Sequence, residues 1–180
     1  MGKQYKQLTA SDIDFIQQQK LFFIASSSHH EVNLSPRGYN SLYVIDPRSL
    51  YMLDYLGSGN RTARDISEDG EVTLMFNAFE GNPKILRCFC KGEVIRKHDD
   101  LFESARSHFK EDMNAIRHIV KFSIYAVETS CGMGVPLMQY KEDRKEAQTY
   151  ALEMAKNEKF EQYVHDHLIP PDLTKLYNIE

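Results

Sequence analysis

Two tight turns restrict the fold more than any other feature of this chain. Asp46-Pro47-Arg48-Ser49 has Asp at the first and Pro at the second position of a type I turn, between the apolar runs 41–45 and 50–56. Glu80-Gly81-Asn82-Pro83 stands in the same way between the runs 72–79 and 85–95. Neither turn is long enough to carry a crossover to a parallel neighbour, so each pair must run antiparallel. Shorter runs at 21–25, 32–34 and 122–128 bring the count to about seven strands. With helices inserted singly between them, the pattern favours a mainly β fold, an antiparallel sheet closed into a small barrel.

The helical segments follow from their caps. Thr9 or Ser11 can cap a helix ending at Gln19, with Asp12 and Asp14 near its positive end. A helix over 61–69 is expected to end on Gly70 in the C′ role, and Gly92 is expected to mark a bulge in the long strand 85–95. Residues 99–110 and 112–120 read as helices, and 131–136 as an irregular loop. From Glu142 the period is helical: Ala147, Tyr150, Ala151, Met154 and Ala155 form an apolar stripe, expected to pack on the domain's own core. A last helix is expected over 159–167, before Pro170-Pro171.

A length of 180 residues suits one domain with an appendage, divided here into 1–140 and a C-terminal helical extension, 141–180. The net charge of −4 argues against nucleic acid as the main partner. No apolar run approaches the roughly 18 residues of a membrane span. The polar start, residues 1–7, has no apolar signal segment, so export is not expected. Cys88, Cys90 and Cys131 give an odd count without a disulfide framework. Cys88 and Cys90 share one face of a strand, where they read as small hydrophobes and not as zinc ligands. A reducing cytoplasm fits best.

The segment 53–63, Leu-Asp-Tyr-Leu-Gly-Ser-Gly-Asn-Arg-Thr-Ala, runs strand, glycine-bearing loop, helix start. Gly57 and Gly59 allow close approach of the backbone, Ser58 and Thr62 add hydroxyls, and Arg61 supplies a planar fork for phosphate oxygens. The competing reading is a plain capped helix with Arg61 in solvent. No Gly-Lys-Ser/Thr follows, so this is not a Walker A loop. A dinucleotide fold is disfavoured because Thr62 stands where a third small residue belongs and the next strands pair through a tight turn. Arg37 ends the segment 33–38, and Arg87 lies on the strand face opposite Leu86, Cys88 and Cys90.

Taken in order, Phe22-Phe-Ile-Ala-Ser26, Val32-Asn-Leu-Ser-Pro-Arg-Gly38, 53–62, Leu74-Met-Phe-Asn-Ala-Phe-Glu-Gly81, Ile85-Leu-Arg87 and Thr129-Ser-Cys-Gly-Met-Gly-Val-Pro136 resemble the pyridoxamine 5′-phosphate oxidase-related, FMN-binding split-barrel family. The similarity spans roughly residues 10–140 in collinear order. It implies a six-stranded antiparallel split β-barrel of the FMN-binding type, with FMN held at a homodimer interface. It places Asn60, Arg61 and Thr62 on the family's Ser-Arg-Lys phosphate segment, with Thr62 replacing a lysine and so weakening the charge clamp. Arg37 matches a lysine of the first FMN strand, and Arg87 falls near a glutamine that contacts FMN. The candidate cofactor set is therefore Asn33, Ser35, Arg37, Asp54, Ser58, Gly59, Asn60, Arg61, Thr62, Arg87, Ser130 and Cys131.

The resemblance implies a flavin-dependent oxidoreductase of the cytoplasm acting on a small molecule or electron donor, with no nucleic-acid or membrane partner. Flavin would carry the hydride chemistry, so no catalytic triad is required. Pyridoxamine phosphate is not the expected substrate. The chain has no Trp, and it ends Leu-Thr-Lys-Leu-Tyr-Asn-Ile-Glu where the true oxidase carries an Arg-Leu-x-Pro ending. His29, His30 and Cys131 are the nearest candidates for substrate-side roles. The alternatives are a non-catalytic module holding flavin, haem or a deazaflavin, or an interaction protein using the C-terminal helices.

Overall fold

The computed structural model describes residues 2–28 and 31–173. His29 and His30 lie outside the described residues. The first strand is β1 (Lys3–Tyr5), followed by α1 (Ala10–Gln18), β2 (Phe22–Ser27), β3 (Asn33–Arg37), β4 (Leu42–Asp46) and β5 (Ser49–Tyr55). Then come α2 (Arg61–Ser67), β6 (Glu71–Asn77), β7 (Ile85–Arg96), α3 (Phe102–Arg106), β8 (Ile116–Ser130), α4 (Glu146–Lys156) and α5 (Phe160–Asp166). A 3-10 turn, Met113–Ala115, leads into β8.

All pairings are antiparallel, and one sheet of eight strands runs β3-β2-β6-β7-β8-β5-β4, with β1 added beside β8. The strand β8 sets the shape. One edge pairs with β7 along nearly its whole length; the other pairs first with β5, over 116–123, and then with β1, over 127–129. The sheet curls without closing. Ile24, Leu50, Met52, Leu74, Leu86, Cys88, Cys90 and Phe122 fill its main core with no measurable exposure. The two strand cysteines are thus packing residues, and burial pushes the Cys88 thiol up to about 12.

Local chemistry explains the ends of the helices. Thr9 caps α1 in a reciprocal box with Asp12: the Asp12 amide donates to Thr9 Oγ1 (3.2 Å) and the Thr9 amide donates to Asp12 Oδ2 (2.9 Å). Asp12 also ties α1 to β1 and to the turn before β7, accepting from Tyr5 Oη and Lys84 Nζ, each at 2.8 Å. The helix α2 ends in a Schellman motif, but Asp69, with φ of 58°, occupies the left-handed C′ position expected of Gly70. The Gly70 amide donates to Asp65 O (2.7 Å) and the Asp69 amide to Ile66 O (3.1 Å). Gly70 is required for a different reason: a Cβ there would lie 2.6 Å from the carbonyl oxygens of both Asp65 and Ser27.

Two further expectations are corrected. The irregularity in β7 falls between Phe89 and Cys90, not at Gly92, which pairs regularly with Phe122. Gly92 instead makes room for α2, because a Cβ would sit 2.6 Å from Ile66 Cγ1 and Cδ1. Residues 116–120, read as helix, are the buried start of β8. Ile116, Ile119 and Val120 stand at i, i+3 and i+4, the spacing of a helix face, but they are β-branched and this part of the strand is buried on both faces, so it shows no period-2 alternation.

The C-terminal helices fold back on the barrel. Ala151 of α4 and Phe160 of α5 are buried against Leu56 and Ala115, while Ala147 and Tyr150 of the stripe remain exposed. No helix among the described residues is long and apolar enough to cross a membrane.

Candidate functional site

The strands β3 and β5, the loop after β5, the start of α2 and the beginning of β8 enclose a cavity of about 360 Å³. Its wall gathers Asn33, Ser35, Arg37, Asp54, Ser58, Gly59, Asn60, Arg61 and Thr62, all of them marked in the sequence. Arg117 and His118 line it as well. The sequence does not single out these two, because residues 112–120 read as a helix. Their signal is present nonetheless: an Arg-His pair inside an apolar run of a strand needs a buried counter-charge.

Asp54 is that counter-charge. Its carboxylate is buried and takes two bonds from Arg117 on one oxygen, Nη2 to Oδ2 at 2.6 Å and Nε to Oδ2 at 2.9 Å. His118 Nε2 lies 3.2 Å from Oδ2 and Arg37 Nη2 lies 3.5 Å from Oδ1. Burial works against the ionised form of Asp54, but His118, Arg117 and Arg37 outweigh it and hold the carboxyl below the ordinary carboxylate range. Burial pushes His118 down, more strongly than Asp54 pulls it up, so its imidazole is neutral at neutral pH. Arg117 and Arg37 are then the lasting positive charges beside Asp54, and together the three leave one unit of positive charge at this wall.

The rest of the wall is a hydrogen-bonded frame. Asn33 Nδ2 donates to Thr62 Oγ1 (3.0 Å) and to Ser26 Oγ (3.2 Å), and Ser35 Oγ donates to Asn33 Oδ1 (3.2 Å). Thr62 is therefore buried as a brace for Asn33. Asn60 and Arg61 hold the chain's C-terminal segment: Asn60 Nδ2 donates to Leu168 O (2.7 Å) and Arg61 Nη2 to Pro171 O (3.0 Å). Arg61 Nε also lies 3.5 Å from Glu31 Oε1. Among the described residues, two polar atoms of this wall are buried without a hydrogen-bond partner, Arg37 Nε and Asn60 Oδ1. One is a donor and the other an acceptor, so the wall has unused capacity for both an anion and a hydroxyl.

Arg87, Ser130 and Cys131 do not reach this cavity. Arg87 Nη1 donates to Ser130 Oγ (3.1 Å) and, more weakly, approaches Glu128 Oε1 (3.5 Å). Cys131 is exposed and, with Ser130 and Lys84, borders a separate open hollow. Gly132, with φ of +66°, packs so close to the Lys84 backbone that a Cβ would fall 2.7 Å from its nitrogen, which fixes the loop that carries Cys131. No group of metal-ligating side chains gathers among the described residues.

The model of the pyridoxamine 5′-phosphate oxidase family matches residues 9–131. A pyridoxamine 5′-phosphate oxidase family protein of Aspergillus flavus, ustO, is 34% identical over 140 residues, 74% of this chain and 56% of that protein. The chain thus spans little more than half the length of this curated relative. Among solved structures, HupZ of Group A Streptococcus superposes with a TM-score of 0.55 at 16% identity, over 67% of this chain and 91% of that one. A Lactobacillus delbrueckii protein named for pyridoxamine 5′-phosphate oxidase gives 0.53 at 18% identity, over 68% and 98%. At such identities the two structures establish the fold, a mainly antiparallel split barrel.

Proposed function

The chain belongs to the pyridoxamine 5′-phosphate oxidase family, and on that premise we propose that it is an FMN-dependent oxidoreductase with its cofactor bound between two copies of the chain. The observation that carries this reading is the unused polar capacity of one wall: Arg37 Nε as donor, Asn60 Oδ1 as acceptor, and an excess of positive charge around Asp54. A polyol phosphate needs that mixture. Its phosphate accepts from guanidinium groups and its hydroxyls donate to amide oxygens. FMN carries a phosphate and a ribityl chain, and when bound it supplies hydride chemistry.

In this reading Arg37 and Arg61 hold the phosphate, Ser58 and the loop 57–60 border it, and Asn60 Oδ1 accepts from a ribityl hydroxyl. The frame of Asn33, Ser35 and Thr62 keeps Arg37 and α2 in register. The distance of Arg87, Ser130 and Cys131 from the cavity favours a second protomer, which would bring its own set to the ring end of the same ligand. In this reading pyridoxamine phosphate is not the expected substrate, since the sequence has no tryptophan where the resemblance would place one against that vitamin.

The test is the absorption spectrum of the protein mixed with excess FMN and then desalted. Flavin bands near roughly 370 and 450 nm should remain, and Arg61→Ala should lose them. Bound flavin should also be bleached by NADH or NADPH and recover in air. A colourless product would end the FMN reading, and a band near roughly 400 nm in the protein as purified would replace it with haem.

A further inference from the structure

The side chain most heavily engaged at the cavity is Arg117, and it stands at a break in the strand. Asp54 pairs with His118 and Tyr55 with Ile116, so Arg117 is an extra residue on β8 opposite that step. Along a regular strand, neighbouring side chains point to opposite faces; a bulge breaks the alternation. Here it lets both Arg117 Nη2 and His118 Nε2 approach one oxygen, Asp54 Oδ2. The same guanidinium also reaches the glycine loop, Nη1 donating to Gly57 O (3.3 Å) and Nη2 to Gly59 O (2.8 Å).

We propose that Arg117 is a positioning residue for the phosphate end of the ligand, acting through the loop 57–59; this rests on the flavin reading. Residues 57–60 belong to neither strand nor helix, so no ladder of backbone bonds holds them. Carbonyl oxygens are the part of a loop that an anion avoids. Arg117 draws two of them onto a cation inside the wall, while Asp54 neutralises that cation from its other side. The charge of Arg117 is thus committed to Asp54, and what it contributes to an anion is the shape of the loop. Lysine separates the two contributions. It keeps the charge but lacks the planar fork that bonds a carboxylate and two carbonyls at once.

The experiment compares the full chain with Arg117→Lys in two measurements: dissociation constants for FMN and riboflavin from flavin fluorescence, and hydrogen exchange of the amides of 57–61. Arg117→Lys should weaken FMN by about 10–100-fold, the scale on which orienting partners act, while riboflavin, which has no phosphate, changes much less. Exchange at 57–61 should rise while β6 and β7 stay protected. The double variant Asp54→Asn/Arg117→Met removes the pair together and strands less buried charge. It should show the same loss of FMN preference, and it decides the matter if Arg117→Lys does not fold. An FMN preference kept within about twofold by the folded variant overturns the proposal. If the unaltered protein binds neither flavin, the flavin reading falls and exchange decides alone: a rise at 57–61 sustains the loop role of Arg117, and unchanged protection overturns it.

Discussion

Asp54 is a carboxylate in a wall otherwise suited to anions, and its neighbours decide whether it helps or hinders. Alone it would repel a phosphate; held by Arg117 and Arg37 it becomes the anchor of two cations. Its partner His118 gives this cluster a pH dependence. Burial depresses the folded-state pKa of His118 from 6.5, so below that pH the unfolded chain takes up a proton that the folded chain refuses. The resulting stability is fully present above pH 6.5 and is lost as pH falls towards the folded value. Asp54 adds a further loss only under pH 3.8, as its own depressed pKa is passed. The melting temperature should therefore fall between pH 7 and pH 5, and thermal melts at constant ionic strength should show a shallower fall for His118→Gln.

Glycines that look alike in the sequence differ once the elements pack. Gly92 lies in a regular stretch of β7 beneath Ile66 of α2, and a methyl group there collides with the branch of that side chain. Gly92→Ala should cost about 1–3 kcal/mol by overpacking, and less in an Ile66→Ala background, as denaturant melts of the two singles and the double would show. Turn chemistry made both hairpins legible, since Asp-Pro and Gly-Asn-Pro turns act locally. It also located the loop and the start of α2, and with them much of the cavity wall. The first part of β8 was illegible because Ile116, Ile119 and Val120 keep helical spacing in a strand buried on both faces, and with it went Arg117 and His118. Their role depends on a bulge, which is a relation between two strands and leaves no mark in either one alone. The left-handed Asp69 was hidden for a similar reason: the adjacent glycine is the usual choice, but close approach of Ser27 had already claimed it.

At the scale of the whole molecule, the candidate residues fall into two groups that one protomer does not unite. In the proposed function, a pair of chains sharing each flavin would account for that separation. Light scattering should then give twice the 20.9 kDa of one chain, and dilution that dissociates the pair should release flavin; a monomer that keeps its flavin would refute the shared site. The C-terminal segment enters from outside the span matched by the family model, 9–131, yet its carbonyls at Leu168 and Pro171 occupy Asn60 and Arg61. Toward a ligand that needs these two side chains, that segment would be a tethered competitor. Its effective concentration at the cavity is set by covalent attachment and does not fall on dilution. Where a ligand has to displace it from those side chains, every gain in the hold of the segment is a loss to the ligand. Affinity for such a ligand would then be adjustable from a stretch of chain more than a hundred residues away, with no change to the cavity itself.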